Sequence, residues 1–159
     1  MGRLLESLAK LSAILAGALL TLITLITCVS VIGRNTTGRT LVGDFELTAV
    51  AAGAAIALFM PWCQIKRGNI IVDFFTSKAS PGVNTVLDRV GALLLGLSMA
   101  LLTWRSALGG MSAWSTQSGS MMLGFPEWIV YCLMVPPLAL TGLIALWQAA
   151  TGFDERESG

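Results

Sequence analysis

LSAILAGALLTLITLITCVSVIG, residues 11–33, runs for 23 residues without one acidic, basic or histidine side chain. Wound as a helix it would reach roughly 35 Å, enough to cross a hydrocarbon core of about 30 Å. Three further apolar stretches repeat the pattern at 47–65, 86–108 and 126–147, the third extending from Val86 through Trp104 and toward Trp114. None alternates with period two, which excludes a membrane barrel and leaves the helix as the structure that satisfies its own backbone in lipid. The expected fold is therefore an all-α membrane protein with four transmembrane helices, forming one integral membrane domain over residues 1–159. Composition agrees, because 55% of residues are hydrophobic and 12% are charged, against about a quarter charged in soluble domains.

Four spans put both termini on one side. Seven basic residues then share that side (Arg3, Lys10, Lys66, Arg67, Lys78, Arg89 and Arg156), while three (Arg34, Arg39 and Arg105) fall on the other. The positive-inside rule predicts that both termini face the cytoplasm. Tryptophans favour the headgroup level, and here Trp62 and Trp147 mark inner ends and Trp114 and Trp128 outer ends. The first apolar run is too long for a secretion signal's core, so it reads as a retained anchor, and Glu6 argues against myristoylation at Gly2.

The outer connection after the first span, with Asn35, Thr36, Thr37 and Gly38 in a row, is a short turn-rich loop. The inner connection from Lys66 to Asp88 carries more information. On a helix, Ile70, Ile71, Val72, Phe74 and Phe75 share one half of the wheel and Asn69, Asp73, Thr76 and Ser77 the other. A short cytoplasmic-side interfacial amphipathic helix between spans two and three fits, with Lys66, Arg67 and Lys78 near anionic headgroups; a simple extension of the second span is the alternative. Around Gly109, Gly110 and residues 115–120 the composition suits a solvated loop or a frayed helix end.

Ionisable groups deep in a bilayer are tolerated mainly for function, and spans one, two and four hold none. Glu46 and Glu127 stand at outer helix entrances. Arg105 either snorkels outward or sits deeper if the third span is shifted, and with Asp44, Glu46 and Glu127 on the same face it is a candidate for an outer-rim ion pair, as is Arg34. The absence of histidine removes the usual axial haem ligands and the usual zinc sets, and no nucleophile stands in a recognisable motif with a base. No enzyme activity, cofactor or metal is expected. Net charge of +1 without a basic stripe gives no sign of nucleic-acid binding. Cys28, Cys63 and Cys132 lie in spans without paired spacing and are expected to be small buried side chains. Ala9, Ala13 and Gly17, and Ala49, Gly53 and Ala57, recur at every fourth position and predict close helix packing, either within the chain or against a partner. Pro136-Pro137 predicts a kink in the fourth span.

Gly43-Asp44-Phe45-Glu46-Leu47, then Lys66-Arg67-Gly68-Asn69-Ile70-Ile71-Val72-Asp73, then Leu123-Gly124-Phe125-Pro126-Glu127-Trp128 with Tyr131 and Pro136, follow one another in an order that is similar to a known family. The chain resembles the small permease subunit (DctQ-like) of tripartite ATP-independent periplasmic (TRAP) transporters over nearly its whole length. Asn69 departs from the family, which often has His there. The resemblance implies a three-part secondary transporter. A periplasmic solute-binding protein delivers an organic acid, often a carboxylate, to a large multi-span subunit that couples its uptake to sodium. The small subunit is a membrane-embedded scaffold for the large one. Two other readings stand beside it: a cofactor-free accessory subunit of another membrane complex, and a small dimeric multidrug exporter. The exporter would need a buried carboxylate in its first span, which residues 11–33 lack.

Overall fold

The computed structural model describes residues 2–38, 41–66, 68 and 81–152. They form four helices: α1 (Gly2–Thr37), α2 (Asp44–Ile65), α3 (Pro81–Thr116) and α4 (Glu127–Thr151). Each is long and apolar enough to cross a membrane. The α1–α2 and α3–α4 connections share one end of the molecule, the loop end. The start of α1, the end of α2, the start of α3 and the end of α4 share the other, the terminal end.

All four helices are longer than the apolar runs that predict them, α1 and α3 by the most. α1 and α3 each have 36 residues, or roughly 54 Å, so both project beyond a core of about 30 Å. In α1 the extension follows from Leu4, Leu5, Leu8 and Ala9, all strong helix formers. In α3 the helix continues through Gly109 and Gly110, where a loop or frayed end was expected, because the Tyr131 ring of α4 lies directly over both glycines. Hydroxyls inside the spans are satisfied locally. Thr21, Thr24 and Thr27 each donate to the carbonyl four residues back, at 2.7–2.9 Å, which removes the cost of an unpaired donor in lipid.

The helices stand in a row, α1–α2–α4–α3, and do not close into a square bundle. α3 packs on α4 most extensively, α1 packs on α2, α2 packs on α4, and α1 reaches α4 only briefly. Burial explains the order. Along α1 the residues withdrawn from the surface include Leu5, Ala9, Ser12, Ala16, Leu19, Ile23, Ile26, Ser30 and Gly33, spaced four and three alternately, with Ala13, Gly17 and Thr27 beside them. Along α3 they include Ala92, Gly96, Met99, Thr103, Ser106, Gly110 and Ala113, with the same spacing. A 3.5-residue period is a single narrow seam that favours near-antiparallel, left-handed packing on one neighbour. The outer helices therefore have one partner each. The inner helices α2 and α4 bury broad arcs and serve two.

At the terminal end, Ala9, Ile65 and Ile144 bring α1, α2 and α4 together, with Leu5, Trp62 and Leu140 packed around them. One turn away, Gln64 and Gln148 are almost fully buried, and the Gln64 amide donates to the Gln148 side-chain oxygen at 2.7 Å. Gln148 returns a longer bond to the Gln64 carbonyl, 3.3 Å. Between α3 and α4 the closest approach is made by glycine. A Cβ on Gly96 would lie 2.7 Å from Leu146 Cγ, and one on Gly142 would lie 3.3 Å from Met99 Cβ. Small residues were expected to serve close packing on spans one and two, within the chain or against a partner; Gly96 and Gly142 serve it between α3 and α4.

α4 runs unbroken through Pro136 and Pro137, and Thr141 donates its hydroxyl to the Pro137 carbonyl. The interfacial helix expected at 70–77 lies outside the described residues, as do Arg67 and Lys78. Cys28 and Cys132 are exposed and Cys63 is half-buried, which corrects the expectation that all three are buried. In lipid, an outward-facing thiol is already in an apolar medium and needs no protein cover.

Candidate functional site

Gly43 opens α2 with φ of +78°, a left-handed conformation that glycine adopts without strain. It also has no room for a side chain, since a Cβ there would fall on the Leu123 side chain. Directly after it, Asp44 accepts a hydrogen bond from Ser30 of α1. One turn on, the Thr48 and Thr27 hydroxyls meet at 3.4 Å. These contacts fix the α1–α2 hairpin at its loop end.

Glu46 reaches the other way. Its carboxylate accepts the Ser120 hydroxyl at 2.6 Å and the backbone amides of Met122 and Leu123 at 2.9 and 3.1 Å. A carboxylate has enough lone pairs to take all three, and charge-assisted bonds are the stronger kind. The α3–α4 loop is ordered around the same serine. Ser120 N donates to the Phe125 carbonyl (2.9 Å), Gly124 N to the Ser120 carbonyl (3.0 Å), and Phe125 N to the Ser120 hydroxyl (3.2 Å). Ser118 donates to the Glu127 carboxylate at 3.0 Å, and Glu127 N donates back to the Ser118 carbonyl at 3.1 Å. Two motifs some 75 residues apart, Gly43 to Leu47 and Leu123 to Trp128, are thus the two halves of one clasp. Above it Trp114 and Trp128 meet edge to face at 4.8 Å.

The four expected rim charges are placed separately. Arg34 is exposed in the last turn of α1, Arg105 is exposed on α3, and Glu46 and Glu127 are occupied with loop donors. Among the described residues no ion pair joins them. Of the expected packing face, Ala57 is buried, Ala13 and Gly17 are half-buried, and Ala49 is exposed. Gly53 and Gly17 both have open space where a Cβ would stand. At the terminal end Lys66 Nζ lies 5.5 Å from the Trp62 ring centroid, a cation–π distance, while Trp147 is exposed.

α2 presents one continuous outward face. Along it Phe45, Ala49, Ile56 and Phe59 are exposed and Ala52 and Cys63 half-buried, again spaced four and three, with half-buried Gly53 and Met60 alongside. The free side of α1 projects leucines throughout, at Leu4, Leu8, Leu11, Leu15, Leu22 and Leu25, whereas this face interleaves Ala49, Ala52 and Gly53 with its larger side chains. Small residues at seam spacing suit another helix.

Sequence reasoning missed the Gln64–Gln148 pair and the role of Ser120. The glutamines carried a signal, being amides inside apolar runs. Ser120 sat among similar residues and gave none.

The fold is that of a multi-pass membrane protein whose polar contacts tie helices and loops to one another. A family model described as "Tripartite ATP-independent periplasmic transporters, DctQ component" matches residues 23–155. The chain belongs to this family and is the small, DctQ subunit of a TRAP transporter. Such subunits are not enzymes, and the family implies DctM and DctP partners. Searches of curated proteins and of solved structures returned no significant match.

Proposed function

We propose that this DctQ subunit is a static brace for the large permease subunit, which carries out sodium-coupled uptake of an organic acid, a carboxylate, delivered by the periplasmic binding protein. The observation that carries the proposal is the outward α2 face of Phe45, Ala49, Ala52, Ile56 and Phe59, patterned like the occupied seams of α1 and α3. Ala49 and Gly53, with Gly17 and Ala13 on α1, are its candidate contact residues. Ionisable groups support the reading too, since those of α2 and α4 lie in their first turns, at Asp44, Glu46 and Glu127. A brace needs apolar contact and no ion path.

In this reading the chain lies in the bacterial inner membrane with both termini in the cytoplasm. The loop end, with its clasp and with Arg34 and Arg105, faces the periplasm. Trp62, Trp147, Lys66, Arg67 and Lys78 lie at the inner headgroups. Co-purification of the chain with the large subunit tests the proposal. Gly53→Leu and Ala49→Leu should leave the isolated chain folded and reduce recovery of the complex. Sodium-driven carboxylate uptake by vesicles holding this chain alone would overturn it.

A further inference from the structure

Between α3 and α4, toward the loop end, runs an open groove of about 620 Å3 lined almost wholly by apolar atoms. It runs beside the contact that Tyr131 makes with Gly109 and Gly110. Ala107 and Gly110 stand on one wall, Val135 and Pro136 on the other. Farther along the same pair, at Gly96 and Gly142, the helices touch. The groove is continuous with the outward face of two membrane-spanning helices, since Met111, Trp114, Cys132 and Pro136 line it and are exposed.

A second observation concerns the polar atoms of its lining. Trp114, Trp128 and Tyr131 carry ring or hydroxyl donors, and none of the three donates a hydrogen bond to an acceptor among the described residues. Trp114 is exposed, and the donors of half-buried Trp128 and Tyr131 are not sealed inside the protein, so a ligand can reach them. The site is therefore amphipathic, with an apolar trough bordered by donors that have no acceptor and no charge.

We infer that this groove is a binding site for one phospholipid, with an acyl chain lying against Ala107, Gly110, Val135 and Pro136 and the ester carbonyls accepting from Trp114, Trp128 and Tyr131. Its size lies within the range of about 300–1,000 Å3 typical of small-molecule sites. Lipid suits the lining better than a neighbouring helix does. A helix satisfies its own carbonyls and would leave the three donors unmet, whereas a glycerol ester offers acceptors at the depth where tryptophan and tyrosine collect. The site is distinct from the outward α2 face and does not depend on its role.

The test is to purify the full chain in a mild detergent and count retained phospholipid by native mass spectrometry. Ala107→Phe and Cys132→Phe, one on each wall, fill the groove, and circular dichroism selects whichever keeps wild-type helicity. The wild type should hold about one phospholipid per chain more than the filled variant. Equal lipid counts would overturn the inference. So would a filled variant that keeps its lipid and loses only its association with the large subunit, which would give the groove to a partner helix.

Discussion

Glu46, in the first turn of α2, accepts the hydroxyl of Ser120, 74 positions further along the chain, at 2.6 Å. This one carboxylate couples the loop-end geometry of both helical hairpins. Its loop donors take the place that a rim arginine was expected to fill.

Glu46→Gln keeps the shape but replaces half the acceptor capacity with a donor that faces backbone amides. Amide hydrogen exchange at Met122 and Leu123 should accelerate severalfold, while exchange in the middle of α4 stays unchanged. Unaltered protection at those two amides would show that the loop holds itself. Ser120→Ala should give a milder version of the same change.

Gln64→Leu leaves the buried Gln148 side-chain oxygen without its donor and should cost about 1–3 kcal/mol of stability. Replacing both by leucine should recover most of that loss. A double-mutant cycle on thermal unfolding in detergent should then return a coupling at least as large as the single-mutant loss, above the average of about 0.6 kcal/mol for such bonds in membranes.

Gly96→Leu drives a side chain into Leu146, and overpacking of this kind costs about 1–3 kcal/mol. Gly91→Ala, on the same helix but with open space around it, should be neutral or stabilise by about 0.4–1 kcal/mol. Comparing the two melting temperatures separates close packing from helix propensity. Equal destabilisation would mean that α3 and α4 are not in contact at Gly96.

Arg105 is exposed in the loop-end half of α3 and meets no carboxylate among the described residues. Arg105→Lys should be well tolerated in the isolated chain, because both side chains can extend to the headgroups. If Arg105 instead meets an acidic residue of the large subunit, Arg105→Lys should lower recovery of the complex, because lysine cannot reproduce a bidentate guanidinium contact.

The span count and the helical class were legible because lipid imposes a simple demand: long apolar runs without charge must be helices. The family motifs were legible too, but not why they belong together. Gly43 and Leu123 are linked by a clash that glycine avoids, and Glu46 by amides that any residue could have supplied. Neither relation leaves a mark on residue type at the loop. Small-residue spacing pointed to α1 and α2 because it counts glycines without direction. The structure turns Ala57 inward and Ala49 outward on one helix, a split that a four-residue repeat cannot reveal over several turns.

A file of helices in which α1 and α3 share no seam encloses no central axis. Whatever crosses the bilayer beside such a curtain must find its opposite wall on another molecule. The same geometry gives the subunit two broad sides, of which the proposed brace would set one against the large subunit and leave the other wetted by lipid.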